Sequence, residues 1–102
     1  MSLIYLITTR SAWEAALENG FYESPSLKEE GFIHCSEAPQ VQAVLGRYFQ
    51  DQTDLVKLVI DTSLLKSHYV QEWSPSVNDT FPHIYGPVNI SAVRMVERML
   101  RY

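Results

Sequence analysis

A chain of 102 residues, 46% of them hydrophobic, is long enough to bury one core and too short for two, which predicts a single domain. With 12 Asp and Glu against 8 Lys and Arg, the net charge is -4 and no basic stripe is available for a phosphate backbone, so nucleic acid is disfavoured as a partner. One cysteine excludes an internal disulfide and a cysteine-rich zinc site; the lack of a basic leader or a long apolar run predicts no membrane association and a cytoplasmic location, and a monomer or weak dimer is the expectation adopted.

The opening LIYLITT is β-branched and aromatic, which predicts a buried strand over residues 3–8. In SAWEAALENG, Ser11 stands three residues before Glu14 in the pattern of a capping box, Trp13, Ala16 and Leu17 follow helical spacing, and Gly20 supplies a stop. That predicts a helix over about residues 11–19. A loop holding Pro25 and Ser26 leads to a strand of about five residues in GFIHCS. In EAPQVQAVLGRYF, Val41, Val44, Leu45, Tyr48 and Phe49 have the spacing of a helix with one buried face. LVKLVID, residues 55–61, is the clearest strand of the chain. HYVQEW and FPHIYG are two more, on either side of a surface loop at SPSVNDTFP, residues 74–82. In the tail, one period fits Val93, Val96 and Leu100 and the other Val93, Met95 and Met99; the strand is the reading adopted. The order β-α-β-α-β-β-β, followed by the tail strand, predicts an α+β fold with two helices and a split, mainly antiparallel, twisted sheet.

Alternation along a strand puts Phe32, His34 and Ser36 on one face and Ile33 and Cys35 on the other. Cys35 then belongs to the core, and His34 with Cys35 makes a poor nucleophile and base pair, which needs hydrogen-bond reach. His34 and Ser36 point together to the place where a strand ends and a helix begins, whose free N–H groups favour phosphate or carboxylate. Structural roles compete: Ser36 as the plain N-cap, His34 as a bonded histidine that orients a loop. In FPHIYGP, His83 and Tyr85 share a face and can sandwich a planar ring, while Gly86 admits a ligand or a neighbouring backbone at close range. The same residues also fit a Pro-framed turn with the Tyr85 hydroxyl tied to the backbone. Glu72 lies on a strand beside Trp73, where partial burial would raise its pKa and suit it to acid or base work, or where it is simply a rim carboxylate. Glu29, Glu30 and Glu37 read as surface charges. The histidines lack metal-ligand spacing, His68 stands in a polar turn, and no metal is expected.

SLKEEGFIHCS, the acid of VQEW and FPHIYGPV occur in an order and at a spacing that resemble the small bacterial family catalogued as domain of unknown function 952, over essentially the whole chain. Remote similarity groups that family with the ADP-ribosyltransferase-like fold. The resemblance implies a split-sheet cleft that binds NAD in active relatives, and IHCS is similar to the His-x-Ser strand of the RNA 2'-phosphotransferases. Carried over, His34 would bond a ribose hydroxyl of NAD or of an ADP-ribose-like ligand with Ser36 beside it, Tyr85 would stack on nicotinamide, and Glu72 would steady a ribosyl cation. Arg10 and Arg47 are the only cations expected near such a cleft, a thin grip for transfer of a phosphate. Two functions of different class follow. One is an NAD-dependent ADP-ribosyl- or phosphoryl-type transferase or hydrolase with His34 and Glu72 catalytic and Ser36, His83, Tyr85 and Gly86 binding the ligand; the other is a non-catalytic module that binds a nucleotide-like anion at a His34, Ser36 and His83 cluster, with Glu72 turned away or salt-bridged.

Overall fold

The computed structural model describes residues 2–99, and Leu100 of the tail reading lies outside them. Its radius of gyration is 12.8 Å, close to the ~13 Å of a 100-residue compact unit. Eight strands and three α-helices are described: β1 (Leu3–Thr9), α1 (Arg10–Asn19), β2 (Phe21–Tyr22), α2 (Pro25–Glu30), β3 (Ile33–His34), α3 (Val41–Tyr48), β4 (Leu55–Asp61), β5 (Tyr69–Ser74), β6 (Asp79–Ile84), β7 (Val88–Asn89) and β8 (Val93–Met99). The α+β class and the antiparallel pairing agree with the sequence reading, as does a strand for the tail. The expected two helices are three, because the loop with Pro25 and Ser26 coils into α2. Its signals are local: Pro25 occupies the first turn, where a missing N–H costs nothing, and Gly31 ends the helix in the left-handed region at φ 91°, donating to the Leu27 carbonyl.

The sheet is split into three antiparallel pieces, ordered β1-β4-β8, β2-β7 and β3-β6-β5. β4 is central in the first piece, and its side chains are buried on both faces apart from Lys57, which is half-buried; hence its nearly unbroken apolar run. β1, on one side of it, alternates buried and half-buried residues. The main core gathers Ile4, Leu6, Leu58 and Ile60 from this sheet, Trp13 and Ala16 from α1, and Ile33, Cys35 and Ile84 from the third. α1 starts one turn position earlier than expected: Thr9 is its N-cap, with Oγ1 accepting from the Ala12 N–H at 3.1 Å, and Ser11 is inside the helix. The strand ends at Thr9 and sets the cap there, so the capping box at Ser11 is not used.

Two joints shape the molecule around β3. The Cys35 N–H donates to the Pro82 carbonyl at 3.0 Å, extending the pairing with β6. One residue later Ser36 exchanges both backbone bonds with Tyr5 of β1, at 2.7 and 2.9 Å. The segment 33–36 thus leaves one sheet for another and holds their edges together. Its continuation is a 3-10 turn, residues 38–40, whose N-cap is Glu37 in a capping box with Gln40; Ser36 is not the cap. The expected surface loop 74–82 is shorter, because β5 and β6 pair from Ser74 opposite Asp79 and leave residues 75–78 as the connection. Gln40 Nε2 reaches Asp79 Oδ2 and the Thr80 carbonyl at 2.9 and 2.7 Å, tying that hairpin to the turn.

Candidate functional site

The register of the third sheet sets the site. His34 of β3 lies directly opposite His83 of β6, and Val70 of β5 lies opposite His83 from the other side. Period-2 alternation then gives Phe32, His34 and Ser36 the same face as Phe81, His83, Tyr85 and Glu72. The other face, carrying Ile33, Cys35 and Ile84, is core. Burial pushes the Cys35 thiol well above its ordinary range, as expected of a core cysteine rather than a nucleophile.

On the polar face the rings are packed. Phe32 stacks on His83 with centroids 4.1 Å apart and planes at 17°, and meets His34 edge-on at 4.9 Å. His34 and His83 stand 5.2 Å apart at 76°. Behind His83, Nδ1 is 2.8 Å from Glu72 Oε1, and the Tyr85 hydroxyl donates to the same oxygen. The Tyr85 hydroxyl first, and His83 second, hold the Glu72 carboxyl below its ordinary range. The reverse effect pushes Tyr85 up, chiefly through its bond to Glu72 and then through desolvation. Partial burial was expected to raise Glu72, and its direction is the opposite because donors outweigh desolvation here. An ionised carboxylate only accepts, so the proton of the His83 contact sits on Nδ1. His34 is held likewise: its Nε2 is 3.0 Å from Glu30 Oε2, delivered by the end of α2, though both side chains are at least half exposed.

His34, Ser36 and His83 line one cavity of about 520 Å³. Tyr5 and Ile7 of β1 form its floor, Val44, Tyr48 and Phe49 come from the end of α3, and Phe32, Phe81 and Trp73 complete a largely aromatic wall. The stripe on α3 is therefore divided: Val41 and Leu45 are buried, while Tyr48 is largely exposed at the cavity. Ser36 is 4% exposed, and its hydroxyl makes no hydrogen bond among the described residues. Glu72, Tyr85 and Gly86 do not line the cavity. Gly86 instead meets Ser67: a Cβ there would lie 2.5 Å from Ser67 Oγ, and that hydroxyl donates to the Pro87 carbonyl at 2.6 Å. His68 is exposed, and its carbonyl accepts from Tyr85 N–H at 2.8 Å.

Among the described residues, no Lys or Arg lines the cavity. Two stand beside its tyrosines: Arg47 lies 5.7 Å from the Tyr48 ring centroid and Lys57 5.3 Å from that of Tyr5. Arg10 is held by Asp54 at 3.0 Å. Glu37 accepts from Gln71 Nε2 at 2.6 Å, and its capping box with Gln40 engages the Glu37 and Gln40 N–H groups, so the turn offers an anion fewer donors than expected. Among the described residues, no group of three or more His, Cys, Asp or Glu is placed to hold a metal, and no helix is long and apolar enough to cross a membrane. Sequence reasoning missed Glu30 as a histidine partner and the aromatic wall. The Glu30 to His34 spacing resembles a helical pair but spans the helix end at Gly31, so only the fold brings the two together. Phe32 was legible by alternation with His34.

The curated proteins contain no match. Among solved structures, the crystal structure of protein CC0527 from Caulobacter crescentus is 32% identical, with a TM-score of 0.89 over 99% of this chain and 89% of that one. The solution structure of CC0527 is 35% identical, with a TM-score of 0.78 over 94% and 83%. A family model described as protein of unknown function (DUF952) matches residues 7–96, which contain every residue of the cavity wall but Tyr5, and the chain belongs to that family.

Proposed function

We propose that the cavity binds a nucleotide-type small molecule, with its planar base against the aromatic wall and its ribose hydroxyls against His34 and Ser36, in a cleft of ADP-ribosyltransferase-like kind. The observation that carries this reading is the convergence of His34, Ser36 and His83 on one aromatic cavity. Apolar pockets with a few convergent polar groups are the usual form of a small-molecule site. Among the described residues the Ser36 hydroxyl and the second ring nitrogen of each histidine make no hydrogen bond, and they are polar groups that a ribose can use. The rings and riboses of NAD suit this wall; among the described residues its diphosphate finds no cation in the lining, and Arg47 and Lys57 are the candidates to meet it.

Thermal-shift and NMR titrations with adenosine, ADP-ribose, NAD and nicotinamide test the reading. A ligand that binds only the folded state raises the midpoint with concentration over Kd. Adenosine or ADP-ribose is expected to raise it, to move the His34 and His83 ring signals and to quench Trp73 fluorescence, all weakened in His34→Ala. No shift with any of the four at millimolar concentration would rule the reading out.

A second reading, NAD cleavage, draws support from one observation: Glu72 is held ionised within a single hydrogen bond of His83. Against it, both Tyr85 and His83 already occupy that carboxylate, and Glu72 is outside the wall. Nicotinamide release that disappears in Glu72→Gln would favour it over simple binding.

A further inference from the structure

Both imidazoles of the cavity are held from behind by a carboxylate. His83 uses Nδ1 for Glu72, and His34 uses Nε2 for Glu30. In each ring the second nitrogen makes no hydrogen bond among the described residues. One bonded histidine is ordinary. Two, directly opposite on neighbouring strands, 5.2 Å apart and in the wall of the same cavity, form the arrangement that proton transfer to and from a single bound group requires. A carboxylate behind an imidazole fixes its tautomer and stabilises the imidazolium when it forms. His83 is the more firmly held of the two, its side chain 12% exposed under Phe32 against 56% for His34.

We propose that His34 and His83 are a general base and general acid that hydrolyse a nucleoside 2',3'-cyclic phosphate. The proposal rests on the nucleotide-binding reading above. His34 takes a proton from a water molecule as its oxygen bonds to phosphorus. The phosphorus bond to one ribose oxygen breaks, and His83 gives its proton to that oxygen. One water is consumed, a nucleoside monophosphate is formed, and the starting state returns when His34 releases its proton to solvent and His83 takes one up. Two features of the cavity match this substrate class. A cyclic diester carries a single negative charge, which suits a wall whose described residues include no Lys or Arg and where an imidazolium supplies the positive charge. Its base and ribose are the parts that aromatic rings and the Ser36 hydroxyl can hold. The charged groups facing the pair are Glu30 from α2 and Glu72 from β5, with the Tyr85 hydroxyl next to β6's His83 and Lys57 and Arg47 beside the tyrosines of the wall.

The test incubates the full chain with each of the four common nucleoside 2',3'-cyclic phosphates and follows phosphorus NMR, in parallel with an adenosine titration. The cyclic signal is expected to give way to a monoester signal for at least one base, with a bell-shaped pH profile. His34→Gln and His83→Gln keep a hydrogen-bonding amide where each ring meets the ligand, so adenosine binding is weakened far less than turnover, and kcat falls ~10²–10⁴-fold in each. His34→Gln removes the acid limb of the profile and His83→Gln the alkaline limb, changes that a structural role for either ring does not produce. Adenosine binding without turnover overturns the acid–base assignment and leaves the binding reading standing. Turnover that survives both substitutions also overturns the assignment. Neither binding nor turnover sinks both readings.

Discussion

The first and third sheets are each three antiparallel strands, and they put their side chains to opposite uses. In the β1-β4-β8 sheet, β4 is covered on both faces, and the polar groups that are buried are satisfied in place. Tyr22 donates to Thr8 at 3.0 Å, and Asp61 accepts from the Ser63 N–H and hydroxyl and from Arg94. Ser63 first, then Arg94, keeps the Asp61 carboxyl below its ordinary range. In the β3-β6-β5 sheet only one face is core; the other carries stacked rings and two histidine–carboxylate pairs beside an open cavity. The same ladder of backbone bonds therefore supports a stability element in one place and a group of exposed, ionisable side chains in the other. What separates them is the second face: at β4, the centre of the first sheet, it is buried, whereas in the third sheet it lies open to the cavity, whose floor is the half-buried Tyr5 and Ile7 of β1.

Substitution at Leu58 tests this division most severely. It is fully buried in the first sheet, and Leu58→Ala should cost ~2–5 kcal/mol through lost transfer energy and a residual cavity. Urea denaturation reads the loss, and ligand titration below the transition should find the cavity unchanged. A loss under ~1 kcal/mol would mean that the first sheet is not the element that carries stability. Gly86→Ala comes next. Its Cβ would collide with Ser67, 2.5 Å from Oγ and 3.0 Å from Cβ, and the cost should be ~1–3 kcal/mol, as for overpacking elsewhere. Adding Ser67→Gly should restore part of it. If Gly86→Ala leaves stability intact and weakens ligand binding, Gly86 faces the ligand and the close approach to Ser67 is incidental.

Elements that rest on one short-range signal were readable in the chain. β4 follows from its apolar run, α3 from its stripe, and the shared face of His34 and Ser36 from strand alternation. What was not readable depends on pairing over distance. The opposition of His34 and His83 needs the β3 to β6 register, 49 residues apart in the chain. The Glu72 to His83 bond needs the β5–β6 hairpin to close in the register that it has. Local competition misled at two places. Ser36 looked like a cap, but its backbone was already committed to Tyr5 and the cap passed to Glu37. Ser11 looked like the start of α1, but β1 runs to Thr9, whose hydroxyl is the one that meets a free N–H. Thr9→Ala should therefore cost ~1 kcal/mol, while Ser11→Ala stays within ~0.5 kcal/mol; equal losses would restore the capping box at Ser11.

The smallest effect isolates the polar face itself. Glu72 sits below its ordinary range in the folded protein, so its contribution to stability is present above the unfolded glutamate value of ~4.3 and is lost as pH falls through the lowered folded value. Tyr85 is displaced the other way. Its contribution is present below the unfolded tyrosine value of ~10 and is lost as pH rises through the raised folded value. Both effects come mainly from one bond, so a single substitution should remove both. In Glu72→Gln the Tyr85 phenolate, followed by absorbance and assigned by comparison with Tyr85→Phe, should appear at lower pH than in the wild type. Urea midpoints should also fall less steeply on acidification. Both groups are partly exposed to solvent, which screens the pair and keeps the change in stability small. An unchanged phenolate titration in Glu72→Gln would show that Tyr85 is not bonded to this carboxylate in solution. Glu72 would then be free to turn towards the cavity, and the case for its role in NAD cleavage would strengthen at the expense of a passive support for His83.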